Sequence, residues 1–276
     1  MKPCFFNLDY KELSAQLKEW NEPEFRAKQL WALVYKNMNL DPLSFSNIPK
    51  SLREKIAETY DFHPISEIKN VESSNLQTNK YLLGLADGKK IEAVLMRYRE
   101  RSTVCISTQV GCGMNCAFCA TGQMGLTRNL SSGEIAGQVF FFAEKLLEED
   151  RKLTNLVLMG MGEPFHNYAN VMKAVDLIND ADGFRFGERR ITISTVGIIP
   201  MIEKFTKAKR QINLAVSLHA PTNDLRNQII PANRKYPIEN LIEACKAYTS
   251  NTSRRITFEY AMIDGLNDTV EQATQL

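Results

Sequence analysis

Cys112, Cys116 and Cys119 stand in the run Gly111-Cys112-Gly113-Met114-Asn115-Cys116-Ala117-Phe118-Cys119, a C-x3-C-x2-C spacing that brings three thiolates within reach of one metal site. No fourth cysteine follows nearby. A 4Fe-4S cube is usually held by four thiolates. Three leave one iron open, and an open iron can bind a further ligand. The chemistry this predicts is a 4Fe-4S cluster whose open iron holds the amino and carboxylate groups of S-adenosylmethionine (SAM). An electron from such a cluster cleaves the sulfonium to a deoxyadenosyl radical. The cofactor carries the hard chemistry and the protein positions it. The aromatic Phe118 before the last cysteine fits the same motif. Zinc held by three cysteines and a histidine is the alternative, but His63, His166 and His219 are the only histidines and none stands at finger-like spacing. A disulfide framework suits a short secreted chain, and an electron-transfer cluster calls for a fourth cysteine close by.

Such a site needs a scaffold, and the composition allows one. The chain has 276 residues, 44% hydrophobic and 24% charged, enough for one large core and a small extra domain. A net charge of +2 does not by itself announce a nucleic-acid binder. No secretory signal opens the sequence and no apolar run reaches the length of a membrane span. Six cysteines, half of them in one motif, fit a reducing cytoplasm.

Periodicity divides the chain in three. Tyr10, Leu13, Leu17 and Trp20 repeat at helical spacing, Pro23 opens a second helix, and Pro49 to Tyr60 suggests a third. These form a small all-α module over residues 1–64. A β-hairpin follows within 65–102, with Tyr81 to Leu85 and Ile91 to Met96 flanking the turn pair Asp87-Gly88. From 103 to 276 strands and helices alternate. Strands are predicted over Thr103–Thr108, Leu156–Met159, Ile191–Ser194, Ile212–Leu218 and Ile256–Ile263. Ser131 and Glu134 form a capping box at the start of one helix.

The predicted fold class is therefore α/β. Alternation implies a parallel sheet with helices outside it, with ligands at the carboxyl ends of the strands. The cysteine loop, the Gly160–Pro164 turn, Thr195-Val196-Gly197 and His219-Ala220-Pro221 all fall on that rim. Arg128, Arg226 and Arg234 also follow strand ends and belong near it, whereas Arg189-Arg190 and Arg254-Arg255 precede strands and belong on the opposite rim.

The motifs also occur in a familiar order. The cysteine loop continues as Ala120-Thr121-Gly122-Gln123 and Arg128-Asn129-Leu130. Gly160-Met161-Gly162-Glu163-Pro164, Ser194-Thr195-Val196-Gly197-Ile198-Ile199-Pro200 and Ser217-Leu218-His219-Ala220-Pro221 follow, and Phe25-Arg26-Ala27-Lys28-Gln29-Leu30 stands near the start. The sequence resembles the RlmN/Cfr family of radical SAM RNA methyltransferases over nearly all its length, and the RlmN branch more than the Cfr branch.

The resemblance implies a partial (β/α) barrel of radical SAM type. It implies methylation of the C-2 carbon of an adenine in large-subunit ribosomal RNA and in tRNA; the Cfr-like alternative methylates C-8. In the family one SAM methylates a cysteine, and the radical from a second SAM takes hydrogen from that methyl. The resulting carbon radical adds to adenine, a base removes the ring proton, and a second cysteine releases the product as a disulfide forms. Carried over position by position, the proton acceptor is Glu92 and the resolving cysteine is Cys105. Read alone, Glu92 is an exposed strand residue and Cys105 a core cysteine; Glu92 shares a strand face with Val94 and Met96, where a carboxylate tends to a raised pKa. The SAM contacts match Gly162, Glu163, Ser194, Ser217, Leu218 and His219. The resemblance further implies an RNA-binding role for residues 1–64, an electron donor such as flavodoxin or ferredoxin, no membrane, a cytoplasmic location and a monomer when full-length.

The resemblance also implies a methyl-carrying cysteine and a late SAM-contacting asparagine beyond residue 276; Cys4 and Cys245 do not fit the former role. The expectation is a fragment missing its C-terminal part, prone to aggregate and unable to methylate. An inert cluster- or RNA-binding fragment and a radical SAM enzyme acting on a small molecule are the competing functions; the N-terminal helices argue against the latter.

Overall fold

A computed structural model describes residues 2–276. In chain order its elements begin with α1 (Tyr10–Glu19), α2 (Phe25–Trp31), α3 (Lys50–Thr59), β1 (Ile65–Glu72), β2 (Thr78–Leu85), β3 (Lys90–Arg97) and β4 (Ser102–Cys105). They continue as β5 (Gln109–Gly111), α4 (Ala120–Gln123), β6 (Leu126–Asn129), α5 (Ser132–Glu148), β7 (Asn155–Leu158) and α6 (Tyr168–Asn179). The last are β8 (Ile191–Thr195), α7 (Ile199–Lys207), β9 (Asn213–Ser217), α8 (Asn223–Ile229), α9 (Ile238–Thr252), β10 (Ile256–Glu259) and α10 (Val270–Gln275). The chain forms two compact units.

The first unit comprises Met1–Ile106, Leu130–Leu156 and Ala169–Gly187. Its helical part is held by aromatic packing: Phe5 stacks on Phe62 with ring centroids 4.4 Å apart, and Phe6 meets Phe140 of α5 at 4.8 Å. Such pairs add to the burial of the rings themselves. Both capping boxes in this unit, Asp9 with Glu12 on α1 and Ser131 with Glu134 on α5, satisfy backbone donors that a helix start leaves open. Cys4 is held in the fold. It forms a β-bridge with Asp61, and a Cβ added to Gly133 would meet its sulfur at 2.7 Å. Strands β1 to β4 are paired antiparallel in sequence order. Only β2 and β3 read clearly as a hairpin from sequence; β1 escapes notice because seven of its eight residues are exposed, which erases the alternation.

The second unit comprises Ser107–Asn129, Val157–Tyr168 and Glu188–Leu276. Here β8, β9 and β10 are parallel neighbours, with Thr192 opposite Asn213 and Phe258 opposite Val216. Helices α7 and α9 pack against one another through Phe205 and Tyr248, stacked at 5.9 Å. The expected last strand is cut short at Glu259. Asn267 is the cause: this buried amide donates to the Ala261 and His219 carbonyls and accepts from the Ile263 N–H, folding residues 260–267 into a loop. The helix that follows is capped by Thr269 with Gln272 rather than by Asn267 or Asp268.

The first barrel strand also differs. The predicted Thr103–Thr108 run is β4 followed by a separate short strand, β5, paired antiparallel with β6. The ribbon joins Gln109 to Asn129 and Gly111 to Leu126, and so closes a loop that contains all three clustered cysteines.

Candidate active site

The β5–β6 ribbon ends in a tight crossing that only glycine permits. Gly111 has φ +76°, and a Cβ there would stand 1.9 Å from the Gly125 carbonyl oxygen. The next residue uses that closeness: the Cys112 N–H donates to the same oxygen at 3.0 Å. The loop is pinned on its far side by the Ala117 N–H, which donates to the Ile229 carbonyl of α8 at 2.9 Å.

Cys112, Cys116 and Cys119 line one cavity of about 240 Å³, together with Gly162, Glu163, Ser194, Ser217 and Glu259. These residues come from the cysteine loop and from the ends of β7, β8, β9 and β10, as expected of a parallel sheet. Cys112 and Cys116 are buried and Cys119 is half-buried. Burial pushes the Cys116 thiol up to about 12, assisted by Cys112 and Cys119 nearby and opposed by the Arg226 guanidinium. A metal must therefore displace a proton to gain this ligand. Among the described residues no three histidine, cysteine or acidic side chains converge on a single-ion site. The donor set, three free thiols lining one cavity, suits a cube bound through separate irons.

The cavity also has a polar lining. Ser194 Oγ and Ser217 Oγ both donate to one carboxylate oxygen of Glu259, at 2.6 and 3.0 Å. Two predicted SAM contacts are thus organised by a residue that sequence reasoning missed. Its signal was an acidic residue closing an apolar strand.

Glu163 behaves differently from a ligand-facing acid. Its carboxylate accepts from the Phe165 and Val196 N–H groups at 3.0 and 2.8 Å and is buried. Desolvation raises its pKa to about 7, against those bonds. The side chain fixes the turn. Gly162 has φ +107°, and a Cβ would meet Gln109 Cβ at 2.6 Å. Gln109 is not free to yield: it donates to Asn129 Oδ1 at 2.7 Å and accepts from the Glu163 N–H at 2.8 Å. Gly162→Ala is expected to destabilise the protein by about 2 kcal/mol or more through strain and displacement of Gln109. The urea midpoint checks this, and a midpoint equal to wild type would show that the turn relaxes freely.

Leu218 and His219 lie just past the cavity wall. Both backbone N–H groups donate to the Glu259 carbonyl, and His219 Nδ1 accepts from the Ala261 N–H at 2.9 Å. Burial holds His219 below the usual histidine pKa, so it is neutral at pH 7. The Phe118 ring meets its imidazole edge-on at 4.7 Å.

Arg226 requires a correction. Expected near the rim as a strand-end charge, it is fully buried and bonded to backbone carbonyls. Arg234 is exposed and Arg128 half-buried.

Glu92 and Cys105 belong to the first unit. Glu92 lies opposite Leu82, and Val94 opposite both Lys80 and Cys105, so Glu92 and Cys105 share a sheet face. That face is not the apolar one expected. Lys80 Nζ stands 2.8 Å from the Glu92 carboxylate, whose side chain is 44% exposed. Cross-strand neighbours, not only residues of the same strand, set the polarity around a strand residue. No disulfide joins any of the six cysteines in this structure.

Comparison with known proteins agrees with this geometry. Residues 106–276 match the Radical SAM superfamily, and residues 5–61 match the ribosomal RNA large subunit methyltransferase N-terminal domain. A probable dual-specificity RNA methyltransferase RlmN from Dictyoglomus thermophilum is 46% identical over 270 residues, covering 98% of this chain and 77% of the relative.

The chain belongs to the RlmN family of radical SAM methyltransferases.

A second RlmN relative, from Caldicellulosiruptor saccharolyticus, is 46% identical over 276 residues, with 100% of this chain and 79% of the relative covered. The crystal structure of a radical SAM methyltransferase from Sphaerobacter thermophilus superposes with a TM-score of 0.96 at 44% identity, over 99% of this chain and 80% of that one. The fold is thus the partial (β/α) barrel of radical SAM type, and the cofactors of the RlmN family are the 4Fe-4S cluster and SAM. No helix among the described residues is long and apolar enough to cross a membrane.

Proposed function

We propose that this protein methylates the C-2 carbon of an adenine in large-subunit ribosomal RNA and in tRNA. The observation that carries the reading is the cavity in which the three thiols of the cysteine loop meet Ser194, Ser217 and Glu259. Aromatic C–H carbon is not nucleophilic, and when bound the cluster and SAM supply the radical chemistry that such a carbon requires.

The chain's own residues then divide the work. Cys112, Cys116 and Cys119 hold iron. The backbone at Gly162-Glu163, with Ser194 and Ser217 and the Leu218-His219 segment, receives and orients SAM. Glu92 accepts the ring proton of the substituted adenine, and Cys105, on the same sheet face, supplies the thiolate that attacks the sulfur of the family's methyl-carrying cysteine, so that an S–S bond forms as the carbon–sulfur bond to the product breaks. The Lys80 ammonium, 2.8 Å from the Glu92 carboxylate, holds that carboxylate in place on the sheet face. Residues 1–64 contact RNA, residues 65–102 extend the barrel, and 103–276 form it. Electron delivery by a flavodoxin or ferredoxin, a monomeric state and a cytoplasmic location belong to the same proposal.

The test is nucleoside mass spectrometry of ribosomal RNA and tRNA from cells with and without the native gene. Loss of 2-methyladenosine from both RNA classes is the expected result. Loss of 8-methyladenosine instead would assign the Cfr-like reaction, and no change in either would reject the reading. Complementing the deletion with the native gene carrying Glu92→Gln is expected to restore ~1% of the modification rate or less, since a positioned base contributes about 10²–10⁴-fold. Full restoration would remove Glu92 from proton transfer.

A further inference from the structure

Arg226 is the largest fully buried side chain of the protein, and neither cluster binding nor SAM binding as described above uses it. Its guanidinium donates to the Leu218 carbonyl at 3.0 Å, the Ser217 carbonyl at 2.9 Å, the Val196 carbonyl at 2.7 Å and Asn233 Oδ1 at 2.9 Å. Every one of these acceptors is neutral. A buried charge is normally paired with an opposite one, because desolvation is otherwise uncompensated. Two of these acceptors, the carbonyls of Val196 and Ser217, belong to residues that line the same cavity as Cys112, Cys116 and Cys119, so the charge stands directly behind that cavity.

The connections of α8 point the same way. Its Ile229 carbonyl receives the N–H of Ala117, the residue after Cys116. Its Arg226 grips Val196 and Ser217, which lie at the ends of the two strands that also present Ser194 and Ser217 to the cavity. One short helix therefore ties the cysteine loop to the SAM-facing strand ends, and it carries an uncompensated positive charge into that junction.

We propose that Arg226 is a positioning residue whose buried charge is the counter-ion of the iron–sulfur cluster and raises its reduction potential. The inference rests on the reading that Cys112, Cys116 and Cys119 bind the cluster. Three thiolates on a cube of charge +2 give a net charge of −1, and one-electron reduction makes it −2. A fixed cation nearby favours the more negative state, so it favours uptake of the electron. The same charge would otherwise belong to no partner.

The experiment is a potentiometric titration of the anaerobically reconstituted protein, followed by electron paramagnetic resonance of the reduced cluster. Arg226→Gln removes the charge and keeps part of the hydrogen bonding. Asn233→Asp places a carboxylate, nearly isosteric with the amide, against the guanidinium and neutralises it without touching the cluster. Asn233→Ser removes the Asn233 bond and leaves the charge. The expected result is a lower midpoint potential in Arg226→Gln and in Asn233→Asp, with Asn233→Ser close to wild type. Wild-type potentials in the first two variants overturn the proposal, and so does an equal shift in Asn233→Ser and Asn233→Asp, which would mark a purely structural role. If Arg226→Gln fails to fold or to take up iron, the two Asn233 variants decide by the same criterion. A wild-type protein that takes up no iron overturns instead the cluster reading, and the inference with it.

Discussion

Replacing Cys112, Cys116 or Cys119 with alanine is expected to abolish the cluster and, with it, all SAM cleavage. Each sulfur lines the same cavity, and no other cysteine stands along its wall to take the place of a lost ligand. Cys245 is held within α9 and Cys4 in the first unit. Loss of one of three ligands leaves a cube with two unprotected irons, and such a cluster does not persist. The measurements are iron and sulfide content after anaerobic reconstitution, visible absorbance, and deoxyadenosine released from SAM under a strong reductant. Wild-type iron loading in any single variant would show that the residue in question is not a ligand. Thermal unfolding of the metal-free proteins should differ little between wild type and the Cys119→Ala variant, because Cys119 is only half-buried. That control separates a lost ligand from a lost fold.

The second large effect is expected at Glu259. Its carboxylate accepts from two hydroxyls at once and supplies a negative group to the cavity that the cysteines line. SAM brings a sulfonium and an ammonium, both cationic. Glu259→Ala removes the acceptor, leaves Ser194 and Ser217 without their common partner, and takes away the matching charge. Hydrogen bonds to charged groups contribute about 1.5–3 kcal/mol each, so SAM affinity should fall by roughly 10²-fold. Equilibrium binding of SAM to the reconstituted protein tests this, with cluster content as the control. An affinity within a factor of two or so of wild type would place Glu259 outside the SAM site. Glu259→Gln should fall between the two, since it keeps an acceptor for the hydroxyls and loses the charge.

The contrast between these two sites explains what could be read from the sequence. The three proposed cluster ligands lie within eight residues of one another, so their spacing is itself the signal. The parallel strands were visible as apolar runs between amphipathic helices, and the motif-bearing turns fell on one rim because strand order fixes direction. Glu259 is different. Its serine partners lie 65 and 42 residues earlier in the chain, and only the parallel register of β8, β9 and β10 brings them together. Nothing local distinguishes it from a solvated acid at a strand end. Arg226 misled for a related reason. Its position after a strand correctly placed it near the rim, but position says nothing about burial, and its partners are carbonyls that every residue possesses. Glu92 shows the limit of face-sharing arguments: Val94 and Met96 predicted an apolar setting, and Lys80 on the neighbouring strand supplied a cation. The β5–β6 ribbon was missed because strands of three and four residues carry too little periodicity to stand out.

The central claim is that Cys112, Cys116 and Cys119 hold a cube with one iron left open for SAM. Mössbauer spectroscopy of protein reconstituted with ⁵⁷Fe, recorded with and without SAM, tests it most directly. The account predicts four irons per cluster, one of which changes its isomer shift and quadrupole splitting when SAM is added while the other three stay as they were. A spectrum in which SAM leaves every iron unchanged, or in which all four irons are equivalent and thiolate-bound, would contradict it.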